Sequence, residues 1–124
     1  MPATAVRAIR GATTLDEDTP AQMHERVTEL VRVMLERNGL ATDDLISMLL
    51  TSTDDLHCMF PATAARTVAG MDAVPLMCAR ELDIDGGLER CVRIMAHVET
   101  TRTRAELEHV FLAGAVVLRP DLEP

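Results

Sequence analysis

Arg90-Cys91-Val92-Arg93-Ile94-Met95-Ala96-His97-Val98 is the stretch whose reading decides the fold. Strict alternation puts Val92, Ile94, Ala96 and Val98 on one face of a strand. Cys91, Arg93, Met95 and His97 then share the other face. The first face is a core face. The second mixes apolar side chains with a guanidinium, so it has to pack against something beyond the chain's own helices.

The rest of the chain supplies little to cover that second face. Residues 5–13, Ala-Val-Arg-Ala-Ile-Arg-Gly-Ala-Thr, read as a first strand. A long helix follows: Thr19 suits the N-cap, Pro20 the first helical position, and Gln22 completes a capping box. Met23, Val27, Leu30, Val31, Met34 and Leu35 recur at helical spacing, and Gly39 after Asn38 is the stop. Residues 45–53 read as a buried second strand. Phe60-Pro61 opens a short helical turn to about Val68, closed by Gly70. Residues 73–81 form a third strand, with Pro75 marking a strand start or an edge. Asp85-Gly86-Gly87 turns the chain into the fourth strand. Thr103 to Glu106 reads as a second capping box opening a short helix. Residues 109–119 are one strand, or two broken near Gly114.

The expected fold class is α+β: a mixed β-sheet with one long helix and short helical turns. One long helix covers one sheet face, so the other face predicts an oligomer.

At 124 residues and 48% hydrophobic, the chain fits one ordinary domain spanning 1–124. No apolar run nears the ~20 residues of a membrane span. The N-terminus lacks the basic-then-apolar order of a secretory signal, so a cytoplasmic location is expected. A net charge of −8 argues against nucleic acid. Cys58, Cys78 and Cys91 have neither disulfide nor zinc spacing, and the four histidines show no HxH or HExxH pattern. No metal is expected. There is no Walker loop, no GxGxxG and no nucleophile elbow, so no cofactor is expected. Any reaction has to proceed by positioning and electrostatics.

All twelve basic residues other than histidine are arginines. Three occupy apolar strands: Arg10 beside Ile9, Arg93 between Val92 and Ile94, and Arg119 after Val116-Val117-Leu118. A guanidinium stays charged and is costly to bury alone, so each needs an anionic partner. That partner is either a carboxylate of the chain or a compact anionic ligand shared among them.

Several blocks carry a resemblance. Residues 7–14 (Arg-Ala-Ile-Arg-Gly-Ala-Thr-Thr), 53–62 (Thr-Asp-Asp-Leu-His-Cys-Met-Phe-Pro-Ala), 74–83 (Val-Pro-Leu-Met-Cys-Ala-Arg-Glu-Leu-Asp), 86–95 (Gly-Gly-Leu-Glu-Arg-Cys-Val-Arg-Ile-Met) and 116–122 (Val-Val-Leu-Arg-Pro-Asp-Leu) resemble the monofunctional chorismate mutases of the Bacillus type. The resemblance implies a homotrimer with a pseudo α/β-barrel core and active sites at subunit clefts. It implies an isomerase converting chorismate to prephenate by a Claisen rearrangement, toward phenylalanine and tyrosine, without a cofactor. Arg93 would reach the ether oxygen, and Arg10 a substrate carboxylate. Glu81 and Cys78 would hold the ring hydroxyl. Arg66 and Arg119 would close the site from the neighbouring subunit. Phe60, Ala62, Thr63, Leu76, Met77, Phe111 and Leu118 would line the pocket.

Each role has a plainer counterpart. Glu81 could be an ion-pair partner, Cys78 a small core residue, and Arg66 a solvated charge. Cys78 and Glu81 lie three apart, so they share a pocket only if the strand ends or bulges between them, and it is expected to do so. Two positions depart from the family pattern. Phe111 stands where the family usually has Tyr, and Thr63 where it has Lys near the cleft entrance. Two other readings are a trimeric protein that binds a dicarboxylate without turning it over, and an imine deaminase of the Rid type on a related scaffold.

Overall fold

A computed structural model describes residues 3–118. Five strands form one sheet: β1 (Ala5–Thr14), β2 (Leu45–Ser52), β3 (Leu76–Arg80), β4 (Cys91–Thr100) and β5 (Val110–Phe111). Their order is β3-β2-β4-β1-β5. β4 runs antiparallel to both β1 and β2, whereas β2–β3 and β1–β5 are parallel pairs. The segment quoted first is therefore the centre of the sheet. Its predicted faces hold: Val92, Ile94, Ala96 and Val98 are buried, while Arg93 and His97 are exposed.

The helix α1 (Pro20–Arg37) covers the first face. Met23, Val27, Leu30, Val31 and Met34 are all buried against the sheet, each worth about 1.5–3 kcal/mol of transfer. Gly11 of β1 faces this helix. A Cβ there would collide with the sulfur of Met34 and sit 3.2 Å from Leu30 Cδ1, so the missing side chain sets how closely α1 approaches β1.

The helix start corrects one expectation. Thr19 Oγ1 accepts from the Gln22 N–H at 3.3 Å, but Gln22 Oε1 reaches the Asp16 N–H at 3.0 Å rather than the cap residue. The Thr19 N–H is already committed to the Glu17 carbonyl at 3.0 Å. At the other end Asn38 is the C-cap and Gly39 takes φ +60, the left-handed value that ends the helix. The buried Asn38 amide donates to the carbonyls of Met34 (2.8 Å) and Glu108 (2.9 Å) and accepts from the Glu108 N–H (2.7 Å). This ties the end of α1 to the segment that leads into β5.

Pro75 precedes β3, an edge strand, and its carbonyl accepts from the Met48 N–H at 3.0 Å. The short helix α2 (Pro61–Ala65) follows Phe60, and Gly70 turns the chain at φ +88. Two further expectations fail. The helix expected from Thr103 is a single 3-10 turn, Arg104–Glu106, although Glu106 does accept from the Thr103 N–H at 2.9 Å. Its C-cap Leu107 returns at once to extended backbone. Only Val110–Phe111 of the expected final strand pairs; Ala113–Leu118 is a 3-10 segment. Ala113 adopts φ +50, and the Gly114 N–H donates to Thr14 Oγ1 at 2.9 Å, folding the chain over the end of β1. A short apolar run does not by itself distinguish the two conformations.

Candidate active site

Three strands converge on the open face around Arg93. Thr51 of β2 lies opposite it on one side and Ala12 of β1 on the other. Two residues along β4, Met95 sits between Leu49 and Arg10. Alternation therefore gathers Thr51, Arg93 and Arg10 on one face.

Glu81 joins them from just beyond β3. Its N–H donates to the Ser52 carbonyl at 3.0 Å, extending the ladder by one rung. Its Oε2 accepts from Thr51 Oγ1 at 2.6 Å and lies 3.3 Å from Arg93 Nε. The Glu81 side chain is 20% accessible and that of Arg93 47%. A half-exposed pair like this adds little stability. What it does is fix the orientation of both groups.

Phe111 enters from β5, where it pairs with Ala12. The Arg10 guanidinium carbon sits 5.7 Å from the Phe111 ring centroid, within cation–π range. A cavity of about 360 Å³ is lined by Arg10, Thr51, Glu81, Arg93, Phe111 and Leu118. The 3-10 segment that replaced the expected strand is what brings Leu118 there. Arg119 lies outside the described residues.

The other candidates lie elsewhere. Cys78 pairs with Leu50 on the core face of the sheet, and no bulge interrupts β3. It borders a second cavity of about 690 Å³ with Phe60, His57 and Arg80. Within one chain Cys78 and Glu81 thus serve different cavities: β3 does end between them, at Arg80, but the Glu81–Ser52 bond carries the alternation on, so the strand end does not bring them to one pocket. Phe60 is 72% exposed and Met77 68%. Leu76 is half-buried, Ala62 is buried in α2, Thr63 is exposed, and Arg66 is an exposed C-cap of α2.

The loop that carries Phe60 is clamped by Asp18. Its carboxylate accepts from the His57 N–H (2.9 and 3.1 Å) and the Cys58 N–H (3.0 Å). Those donors hold the Asp18 carboxyl below its ordinary range, with the His57 backbone bond the largest cause. Burial, then Asp18, pushes the Cys58 thiol up; burial pushes up that of Cys91 against an opposing effect of Arg93. Both stay protonated at neutral pH and act as packing groups.

Sequence reasoning missed Thr51 and His109, whose Nδ1 accepts from the Arg10 backbone N–H at 3.0 Å. Strand pairing, which a single sequence does not display, is what exposes both.

Comparison with known proteins settles the family. The family described as chorismate mutase type I matches residues 6–122. The chain belongs to the type I chorismate mutases. The chorismate mutase AroH of Thermus thermophilus is 46% identical over 119 residues, covering 95% of this chain and 97% of that protein. AroH of Bacillus subtilis (strain 168) is 42% identical over 117 residues, covering 94% and 92%. A solved chorismate mutase from Clostridium thermocellum superposes with a TM-score of 0.86 at 43% identity, covering 90% of this chain and 98% of that one. The protein is accordingly an isomerase with chorismate mutase activity. Among the described residues no helix is long and apolar enough to cross a membrane.

Proposed function

We propose that the chain rearranges chorismate to prephenate at a site built from two copies of itself. The observation that carries this reading is the split between the two cavities. Arg10, Glu81, Arg93, Phe111 and Leu118 surround one, while Cys78 and Phe60 border the other. A single small substrate would meet both sets only if a neighbouring copy brought its β3–α2 edge to the open face. The exposed Phe60 and Met77 are suited to that contact. In this reading Phe60, Ala62, Thr63, Arg66, Leu76, Met77 and Cys78 come from the neighbour, and Arg119 closes the site. A homotrimer satisfies the requirement cyclically, each copy giving one set and receiving the other.

The chemistry then follows from placement. The substrate's ether C–O bond breaks as a C–C bond forms, with no net proton transfer. Electron density gathers on the ether oxygen in the transition state. Arg93, oriented by Glu81, donates to that oxygen and stabilises it more than the ground state. Arg10 grips a carboxylate and favours the folded conformer. Glu81 accepts from the ring hydroxyl beside the neighbour's thiol. We read residues 1–124 as one such catalytic domain, and the free thiols fit a reducing, cytoplasmic setting.

Two variants test the split. Arg93→Ala disables one set; Phe60→Ala with Arg66→Ala disables the other. Dissociated, mixed and reassembled, they should regain about a quarter of the wild-type sites, since random assortment pairs intact halves at that frequency. Loss of the chorismate diene absorbance, with acid-released phenylpyruvate, gives the readout. No recovery from well-folded mixed assemblies would place the whole site in one chain.

Phe111→Tyr should lower KM several-fold, by about the 0.5–1.5 kcal/mol of one net hydrogen bond. Phe111 is buried on Ala12 and Ala115, has its ring beside Arg10 and lines the cavity. Steady-state kinetics decide it; an unchanged KM means the hydroxyl finds no partner.

A further inference from the structure

We propose that His109 is a positioning residue for Arg10, holding the β1 backbone at the substrate-carboxylate anchor through its unprotonated Nδ1. The inference rests on the reading of Arg10 as that anchor. The parallel pairing of β1 with β5 begins at Gly11–Val110. One residue earlier the acceptor for the strand is a side chain: the Arg10 N–H donates to His109 Nδ1 at 3.0 Å. The imidazole thereby continues the ladder where β5 has no residue to offer. Behind this contact the buried Asn38 amide fixes residue 108 to the end of α1, so the ring is presented from an anchored backbone. On the other side Arg10 packs over Phe111, two residues after His109.

An Nδ1 that accepts must carry its proton on Nε2 instead, so the contact exists only for the neutral ring. The surroundings favour that form. His109 borders a cavity with Arg7 of β1, His97 of β4 and Arg104 of the 3-10 turn, and no carboxylate lines it among the described residues. Burial, and then the charge of Arg10, hold the His109 pKa below its ordinary value. The sign follows: above that lowered pKa the contact is intact. As pH falls through it, Nδ1 gains a proton, the acceptor is lost, and a second cation appears beside Arg10.

Four single variants and one double variant test this by chorismate kinetics across pH. His109→Ala should raise KM about 3–10-fold with a smaller change in kcat, the size of one lost hydrogen bond. His109→Asn puts an oxygen at the Nδ1 position and should recover most of that loss, while also flattening the rise in KM expected of the wild type in acid. His109→Gln, whose oxygen reaches one bond further, should behave like alanine. Arg10→Ala should raise KM strongly, and adding His109→Ala to it should cost little more. If Arg10→Ala raises KM but His109→Ala leaves KM and its pH profile as in the wild type, the positioning role is wrong. Equal loss in Asn and Gln variants, with an unaltered pH profile, also overturns it. If Arg10→Ala leaves KM unchanged, the anchor reading fails instead.

Discussion

Arg93→Ala should lower kcat by about 10²–10³-fold, the ~3–4 kcal/mol associated with loss of one transition-state donor. Its thermal stability should barely change. The Arg93–Glu81 pair is half-exposed at 3.3 Å, and Glu81 keeps its bond from Thr51 when the guanidinium is gone. KM should move less than kcat, because in the proposed role the charge that Arg93 meets develops only as the C–O bond stretches. Arg93→Lys separates two explanations. Lysine retains the charge but not the planar fork that Glu81 orients. Partial activity in the lysine variant would assign the effect to charge. Activity as low as in alanine would assign it to geometry. An alanine variant within a few-fold of wild type would remove Arg93 from the chemistry.

Leu30→Ala should show the opposite signature, a loss of about 2–5 kcal/mol in unfolding free energy with kcat preserved below the transition. Leu30 is fully buried in α1 and faces Gly11 across the layer. Gly11 offers no side chain to refill the space, and its neighbours Ile9 and Met34 are already buried in the same core. The cavity therefore collapses poorly, which places the cost toward the upper part of the range. The open face, with Arg10 and Arg93, lies on the other side of the strands. Denaturant titration with an active-site assay checks both halves. A stability loss under 1 kcal/mol would mean that α1 slides to fill the gap.

The central strand was legible because its alternation is unbroken: Val92 to Val98 reads as one buried face, and the arginine on the other face stands out. The helix was legible from Thr19, Pro20 and Gly39, each suited to a specific backbone position. Residues 113–118 were not, because Ala-Val-Val-Leu is apolar in either conformation and the turn depends on Thr14, a hundred residues away. The site was legible as a set of residue types, and the resemblance supplied roles. Which residues share a cavity was not legible. Cys78 and Glu81 are close in sequence, yet pairing with β2 sends them to opposite faces. Thr51 and His109 gave no signal, since a threonine in a strand and a lone histidine are unremarkable until the register is known.

Ala12 has a consequence for the size of molecule this site accepts. It stands opposite Arg93, is 1% exposed, and forms the floor on which Phe111 and Ala115 rest. The aromatic ring packs in one cluster with that methyl and lies 5.7 Å from the Arg10 guanidinium carbon, so a larger side chain at position 12 would crowd the ring beside Arg10. Room in the cleft thus depends on carbon atoms that are missing, whereas the proposed grip on an anionic substrate depends on guanidinium groups that are present. The two properties reside on different side chains of one rung. Selection can therefore adjust the shape of the accepted reactant by adding or removing methylenes at position 12 while every charge stays in place.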